Sequence, residues 1–271
     1  MTVTSGAVDT SLLDGLTLAA ARASAAILAV RERGLEQREK DDHSPVTNAD
    51  IASEAAIMAE LARLAPGIPV VSEETQGNRP QSGLGGKFFL IDPLDGTREF
   101  IAGRDEYTVN VALIENGSPV VGVLAAPSRG LIWRGVVGCG AERLPMEAAR
   151  SPAGRCTPVH TRARPASGAR VLVSRSHLDA NTEALVARLD KPERIACGSA
   201  LKFGLLAEGT ADLYPRLAPT SEWDIAAGHA LLSAAGGQVT APGGKPLVYG
   251  LGDFLVPAFI AAGDSRTPLP D

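Results

Sequence analysis

The sequence predicts a mixed α+β and α/β chain built in two parts, and three observations carry that prediction. Two helical patterns open the chain and are followed by short apolar strands with tight turns. After a stretch without apolar periodicity, strands and helices alternate. The most apolar strand, Phe88 to Ile91, ends abruptly in two carboxylates, Asp92 and Asp95.

Residues 1–10 read as a loose terminus. Leu12, Leu16, Ala19, Ala23, Ile27 and Val30 follow helical spacing, and the pattern stops in the charged stretch Arg31 to Asp42. Ile51, Ala55, Met58 and Leu61 mark a second helical face, ended by Pro66-Gly67. Ahead of that face, Thr47 and Asp50 have the spacing of a capping box with Asp in place of Glu, so Asp50 reads first as a helix-end residue. Ile68 to Ser72 reads as a strand ending in Glu73 and Glu74. Neighbouring side chains on an extended backbone point to opposite faces, so at most one of these glutamates should share a site with Asp92.

Tyr107 to Ile114, Val120 to Ala126 and Leu131 to Val137 are separated by short Gly- and Pro-containing turns, the signature of an antiparallel meander. From Glu147 to Gly168 the composition shifts to Ala, Pro, Arg, Ser and Thr, which marks a junction over residues 151–167 between an N-terminal part, 11–150, and a C-terminal part, 168–271. The latter reads as strand Val171 to Ser174, helix Asp179 to Leu189, strand Arg194 to Ala196, helix Ala200 to Glu208 and strand Ala211 to Tyr214. A helix opened by Trp223-Asp224 and strands near Gln238 and Ala258 complete it.

With 271 residues, 45% hydrophobic and 21% charged, the chain suffices for one large or two modest packed domains. The Ala-rich segment Leu12 to Val30 is interrupted by Asp14 and Arg22, so no transmembrane segment is expected, and the N-terminus lacks the basic start and apolar core of a secretory signal. The chain therefore reads as cytoplasmic, with peripheral contact to the inner membrane and assembly into homo-oligomers left open. Cys139, Cys156 and Cys197 are too widely spaced for a metal or disulfide framework. A net charge of -5 argues against binding a nucleic-acid polymer, though not against a small anion, because a metal ion inverts the local sign at a carboxylate site.

Asp92-Pro93-Leu94-Asp95-Gly96-Thr97 is the centre of the chain. Pro93 has no amide hydrogen and interrupts the sheet ladder, so the backbone turns there and returns the second carboxylate beside the first. Gly96 and Thr97 then offer amides where a helix begins, a place for an anion. Oxygen ligands for a hard cation next to amides for a phosphate suggest metal-assisted phosphate chemistry, although an Asp-Pro-x-Asp-Gly run also makes an ordinary turn. Asp224 has a similar double reading, as a helix cap or as a ligand.

Taken in order, Glu73-Glu74 after a strand, the Asp92 to Thr97 run, and Trp223-Asp224 opening a helix resemble the signature motifs of the inositol monophosphatase superfamily, which are lithium-sensitive, magnesium-dependent phosphatases. Ser44 to Asp50, Arg98-Glu99-Phe100-Ile101, Ser174 to His177, and the run from Gly198-Ser199 through Lys202 to Tyr214-Pro215-Arg216 resemble the bacterial 3'(2'),5'-bisphosphate nucleotidases within it. The likeness covers about Leu12 to Leu247. It implies a layered αβαβα sandwich. It also implies that Glu73, Asp92, the carbonyl of Leu94, Asp95 and Asp224 hold roughly two or three Mg²⁺ ions, with Glu74 behind them. Asp50 and Thr97 would orient and deprotonate an attacking, metal-activated water, and the amides of Gly96 and Thr97 would take the scissile phosphate. Arg175, His177, Gly198, Ser199, Lys202 and Arg216 would meet the rest of the substrate, while Trp223 packs. The implied reaction converts adenosine 3',5'-bisphosphate to AMP and phosphate, in the family a step linked to sulfate assimilation. Two other readings remain: an inositol, histidinol or sugar phosphatase of the same superfamily, and a non-catalytic nucleotide or metal sensor. The latter would have no use for the water-orienting pair Asp50 and Thr97.

Overall fold

The computed structural model describes residues 10–39, 44–75, 84 and 86–264; of the expected loose terminus, all but Thr10 lies outside them. Helix α1 (Thr10–Arg33) is followed by a two-stranded antiparallel ribbon, β1 (Gln37–Glu39) and β2 (Pro45–Thr47), and then α2 (Asn48–Leu64). A seven-stranded sheet comes next: β3 (Val70–Ser72), β4 (Lys87–Asp95), β5 (Thr108–Glu115), β6 (Ser118–Ala126), β7 (Leu131–Val136), β8 (Gly140–Pro145) and β9 (Thr157–Val159) lie side by side in chain order. Every neighbouring pair is antiparallel except β3 with β4. The short helix α3 (Thr97–Ile101) leaves the end of β4. Strand β9 lies within the stretch read as a junction, where Ala141 to Arg143 pair with Thr157 to Val159.

The rest of the chain comprises β10 (Arg170–Ser174), α4 (Ala180–Ala187), β11 (Glu193–Cys197), α5 (Leu201–Ala207), β12 (Leu213–Arg216), β13 (Thr220–Ser221), α6 (Glu222–Ala234), β14 (Gln238–Thr240), β15 (Leu255–Val256) and β16 (Phe259–Ala262). A five-stranded mixed sheet runs β11-β10-β12-β16-β14, parallel among its first three strands and antiparallel thereafter. The expected α/β alternation is present, with β16 returning between β12 and β14.

Alternating side chains show why these elements stack in layers. On β4, Phe89 and Ile91 enter a core with Leu16, Ala20 and Ile27 of α1 and Ile57 and Leu61 of α2. Phe88 and Leu90 enter the opposite core, with Leu201, Phe203 and Leu206 of α5 and Trp223, Ile225 and Leu231 of α6. That second core continues to Leu172, Tyr214 and Phe259 of the five-stranded sheet, whose far face packs Val171, Val173 and Ile260 on Leu185 and Val186 of α4. The order is helix, sheet, helix, sheet, helix, the expected αβαβα sandwich. Strand β4 is buried on both faces, and this accounts for its unbroken apolar run.

By length and composition α1 is apolar enough to cross a membrane, despite Asp14 and Arg22. Here Leu16, Ala19, Ala20, Ala23 and Ile27 are fully buried, as a core helix requires. Arg134 of β7 also reaches it, donating to Asp14 Oδ1 at 2.5 Å and to Thr17 Oγ1 at 3.2 Å.

The central helix layer is seated by glycines. A Cβ at Gly122 on β6 would collide with the Ala227 carbonyl of α6, and one at Gly228 with the Phe203 ring. Gly122→Ala is therefore expected to lower unfolding free energy by about 1–3 kcal/mol, read as an earlier urea midpoint. An unchanged midpoint would mean that α6 can withdraw from the sheet at no cost.

Candidate active site

A single cleft of about 280 Å³ opens where the end of β4, the start of α3, the start of α6 and the β11–α5 turn converge. Strand β4 does not stop at Pro93. It resumes with a register shift, so that Asp92 pairs with Asn110 and Asp95 with Thr108, and both carboxylates stay anchored to β5. Asp92 is buried and its Oδ1 accepts the Leu94 amide at 3.0 Å. Asp95 Oδ2 accepts the Ala200 amide at 2.5 Å and the Asn110 amide nitrogen at 3.4 Å. Asn110 and Thr108 have no part in the sequence reading. Polar residues at the start of an otherwise apolar strand are the signal that marks them.

Gly96 precedes α3 with φ 92°, a left-handed conformation, and a Cβ there would lie 2.9 Å from the Glu106 carbonyl and 3.3 Å from the Ser199 Cβ. Thr97 Oγ1 lies 3.1 Å from both Asp50 Oδ1 and the Leu94 carbonyl. Asp50 is buried under Thr97 and does not line the cleft. Its Oδ2 accepts the Thr47 amide at 2.8 Å and the Thr47 hydroxyl at 2.6 Å, so the capping box is real. Its Oδ1 accepts from Thr97, so the cap leaves one carboxylate oxygen to the residue that lines the cleft. Burial pushes its carboxyl upward against the pull of these hydrogen bonds.

Glu73, Asp92, Leu94, Asp95 and Asp224 all line the cleft, whereas Glu74 does not. Asp224 caps α6 through Oδ2, which accepts the Thr220 hydroxyl and, at 3.1 Å, the Ser221 amide. Trp223 is buried, packed toward Phe254. Burial raises Asp92 well above the usual carboxylate range, and the negative charges of Glu73, Asp95, Asp224 and Asp50 raise it further. Asp95 is pushed up to about 6, mainly by burial and Asp224, against the opposing pull of Lys202.

Among the described residues no three His, Cys, Asp or Glu side chains converge on one point. The fit to a metal rests on donor chemistry: oxygen ligands only, four carboxylates in one cleft, and mutual repulsion at Asp92 that a cation among them would relieve. The residues present fit a hard divalent cation.

The same cleft carries basic groups, though fewer than the sequence implied. His177, Gly198, Ser199, Lys202 and Arg216 line the cleft. Lys202 is buried, its Nζ donating to the Ser199 carbonyl at 2.6 Å and the Cys197 carbonyl at 3.1 Å, 4.8 Å from the Tyr214 ring centre. It holds the turn in which Ser199 takes φ 49°. Arg216 Nη2 donates to the Pro219 carbonyl at 3.2 Å, and its buried Nε has no protein partner.

Arg175 is a correction. Expected among the substrate groups, it lies outside the cleft, with Nε and Nη2 donating to the two Glu106 oxygens at 2.6 and 2.7 Å. Glu106 Oε2 also accepts the Gly198 amide at 2.9 Å, and the Arg175 guanidinium holds the Glu106 carboxyl below its usual range. An arginine already forked onto a carboxylate is neutralised, so Arg175 fastens the Gly198 turn to the loop before β5 instead of facing an anion.

Comparison with known proteins agrees with this architecture. The model of the inositol monophosphatase family matches residues 9–266. The chain is 40% identical over 257 residues to the 3'(2'),5'-bisphosphate nucleotidase CysQ of Shigella flexneri, covering 92% of this chain and 98% of that protein. The CysQ of Escherichia coli strain K12 is 40% identical over 252 residues, with the same coverage. Among solved structures, CysQ from Bacteroides thetaiotaomicron superimposes with a TM-score of 0.79 at 35% identity, covering 93% of this chain and 97% of that one. An inositol monophosphatase from Anabaena gives 0.73 at 26% identity, covering 94% and 91%. With its five layers, its carboxylate-lined cleft and a family match spanning nearly its whole length, this chain belongs to the inositol monophosphatase family.

Proposed function

We propose that this chain is a magnesium-dependent 3'(2'),5'-bisphosphate nucleotidase, working in the cytoplasm, that hydrolyses adenosine 3',5'-bisphosphate to AMP and phosphate. The observation that carries this reading is one cleft lined both by the carboxylates of Glu73, Asp92, Asp95 and Asp224 and by the basic side chains of Lys202, Arg216 and His177. Such a cleft suits a substrate with two anionic ends, one of them met through metal. Likeness to the CysQ nucleotidases over 92% of the chain supports the nucleotide as that substrate.

Family membership implies divalent-metal dependence, and we assign Glu73, Asp92, the Leu94 carbonyl, Asp95 and Asp224 as the oxygen ligands of roughly two or three magnesium ions. Bound there, the ions would supply charge stabilisation and water acidity near neutral pH. The side chains supply geometry. The Thr97 hydroxyl donates toward Asp50 Oδ1, which turns an oxygen lone pair to the cleft, where it holds the hydrogen of the attacking water. Asp50 fixes that orientation and is the proton's destination through Thr97. Amides at Gly96 and Thr97, at a helix start with no preceding turn to pair with, receive the phosphate oxygens. Ser199 and Gly198 are taken as ribose or phosphate contacts, held from behind by Lys202 and Glu106.

Turnover should vanish in excess chelator, return with added Mg²⁺ and fall with lithium. Full activity in chelator would refute metal dependence. Asp50→Asn keeps one oxygen where two are used, so kcat is expected to fall about a hundredfold or more while stability drops by no more than about 1 kcal/mol, the loss of a cap. A stability loss with near-normal kcat would leave Asp50 as a cap alone.

Substrate identity is tested by kcat/KM on adenosine 3',5'-bisphosphate, inositol 1-phosphate and fructose 1,6-bisphosphate under one set of conditions. The nucleotide should win by orders of magnitude. Losing one charge-assisted phosphate contact in Arg216→Ala should cost about 1.5–3 kcal/mol on the nucleotide and far less on inositol 1-phosphate. Equal rates on inositol 1-phosphate would instead favour the inositol phosphatase reading, to which the engagement of Lys202 by two carbonyls lends some weight.

A further inference from the structure

The carboxylate wall and the substrate groups assigned above leave one cation in the cleft without a role. Arg98 is the second residue of α3, immediately after Thr97, and its exposed side chain lines the same cleft. The helix that begins at the scissile-phosphate amides thus presents a guanidinium one residue further on.

Two contacts fix its direction. Arg98 Nη1 donates to His177 Nε2 at 3.4 Å, and next to this contact buried Glu99 accepts the Ser176 hydroxyl. These consecutive rungs, Arg98 to His177 and Glu99 to Ser176, tie α3 to the turn after β10 and hold both Arg98 and His177 at the cleft. Because Arg98 only donates, Nε2 of His177 must accept, and the imidazole is neutral with its remaining hydrogen on Nδ1. Burial, and then the positive charges of Arg216 and Arg98, disfavour its protonation, and all three side chains line the cleft.

The other basic groups differ in their engagements. Arg175 is neutralised by Glu106, and Lys202 is occupied by two carbonyls. Among the described residues the partner of the Arg98 side chain is His177, which brings no compensating charge. A planar guanidinium facing a cleft, steadied by an uncharged ring, is built to fork onto phosphate oxygens.

We propose that Arg98 binds the second phosphate of the nucleotide, the one not hydrolysed, and is a residue that separates bisphosphate from monophosphate substrates. This rests on the nucleotidase reading, which it extends to a named contact. His177 is a positioning residue for the guanidinium, and Arg98 acts beside Lys202 and Arg216, which line the same cleft.

The test compares the protein with Arg98→Gln and Arg98→Lys on adenosine 3',5'-bisphosphate and adenosine 3'-monophosphate, which differ only in the second phosphate. AMP binding is followed in parallel by calorimetry. For Arg98→Gln, kcat/KM on the bisphosphate should fall at least tenfold further than on the monophosphate, chiefly through KM, and AMP should bind correspondingly more weakly. Arg98→Lys, which keeps the charge without the fork, should recover part of both losses. Equal effects on both substrates, or unaltered AMP affinity in Arg98→Gln, would overturn the assignment of Arg98 while leaving the nucleotidase reading intact. An unsubstituted protein with no preference for the bisphosphate would instead overturn the nucleotidase reading, and the role of Arg98 with it.

Discussion

The fold is organised around an electrostatic difficulty. Asp92 is buried at the end of a strand with the charges of Glu73, Asp95, Asp224 and Asp50 all acting on it, so that burial first, and then the nearness of those charges, drives its proton affinity up. Holding like charges together in a dry place requires that their positions be dictated by something stronger than their repulsion. That something is backbone. Asp92 and Asp95 are set by a bulged strand in the middle of a buried sheet, Glu73 by the parallel strand beside it, and Asp224 by the first turn of a helix wedged between two sheets. No single segment can relax away without disturbing a packed core on each face, and a divalent cation among the carboxylates would relieve their repulsion.

The same reasoning explains why the two sheets meet so tightly at Gly96. There the left-handed backbone of α3's start touches the Glu106 carbonyl and the Ser199 side chain, which belong to opposite halves of the chain. Ser199 is itself in a left-handed conformation, a strain of about 1–3 kcal/mol that persists only where neighbours over-determine it. Lys202 binding the Ser199 carbonyl, Glu106 binding the Gly198 amide and Asp95 binding the Ala200 amide are those neighbours. Three charged side chains are thus used to hold one turn of backbone, which leaves that turn rigid at the edge of the cleft.

Much of this was legible in the sequence, for identifiable reasons. The apolar run before Asp92 announces a strand buried on both faces, and alternation on either side of it announces the layers. Strand β8 was not legible because Gly140 to Pro145 alternates poorly and buries little beyond Ala141 and Leu144. The role expected of Arg175 failed for a different reason. A basic residue in a suggestive motif is available to a substrate only if no carboxylate has claimed it, and Glu106 lies sixty-nine residues away along the chain. Sequence spacing does not report such long-range neutralisation, whereas Arg98 needed only its position on α3 to be recognised as facing the cleft.

The opposition between structural and chemical roles also dissolves on inspection of individual atoms. Asp50 and Asp224 each satisfy a helix N-terminus in a capping box, and each does so through Oδ2. In Asp50 the other oxygen, Oδ1, meets Thr97, and in Asp224 the capped carboxylate still lines the cleft. A carboxylate has two oxygens with about four acceptor directions, so one can be spent on orphan amides while the other faces chemistry. Capping also does work for the site. It locks the side-chain torsions of both residues and aims them from helix starts, where the dipole favours negative charge. For these two positions the cap fixes the carboxylate, and at Asp50 the cap and the Thr97 contact use different oxygens of the same side chain.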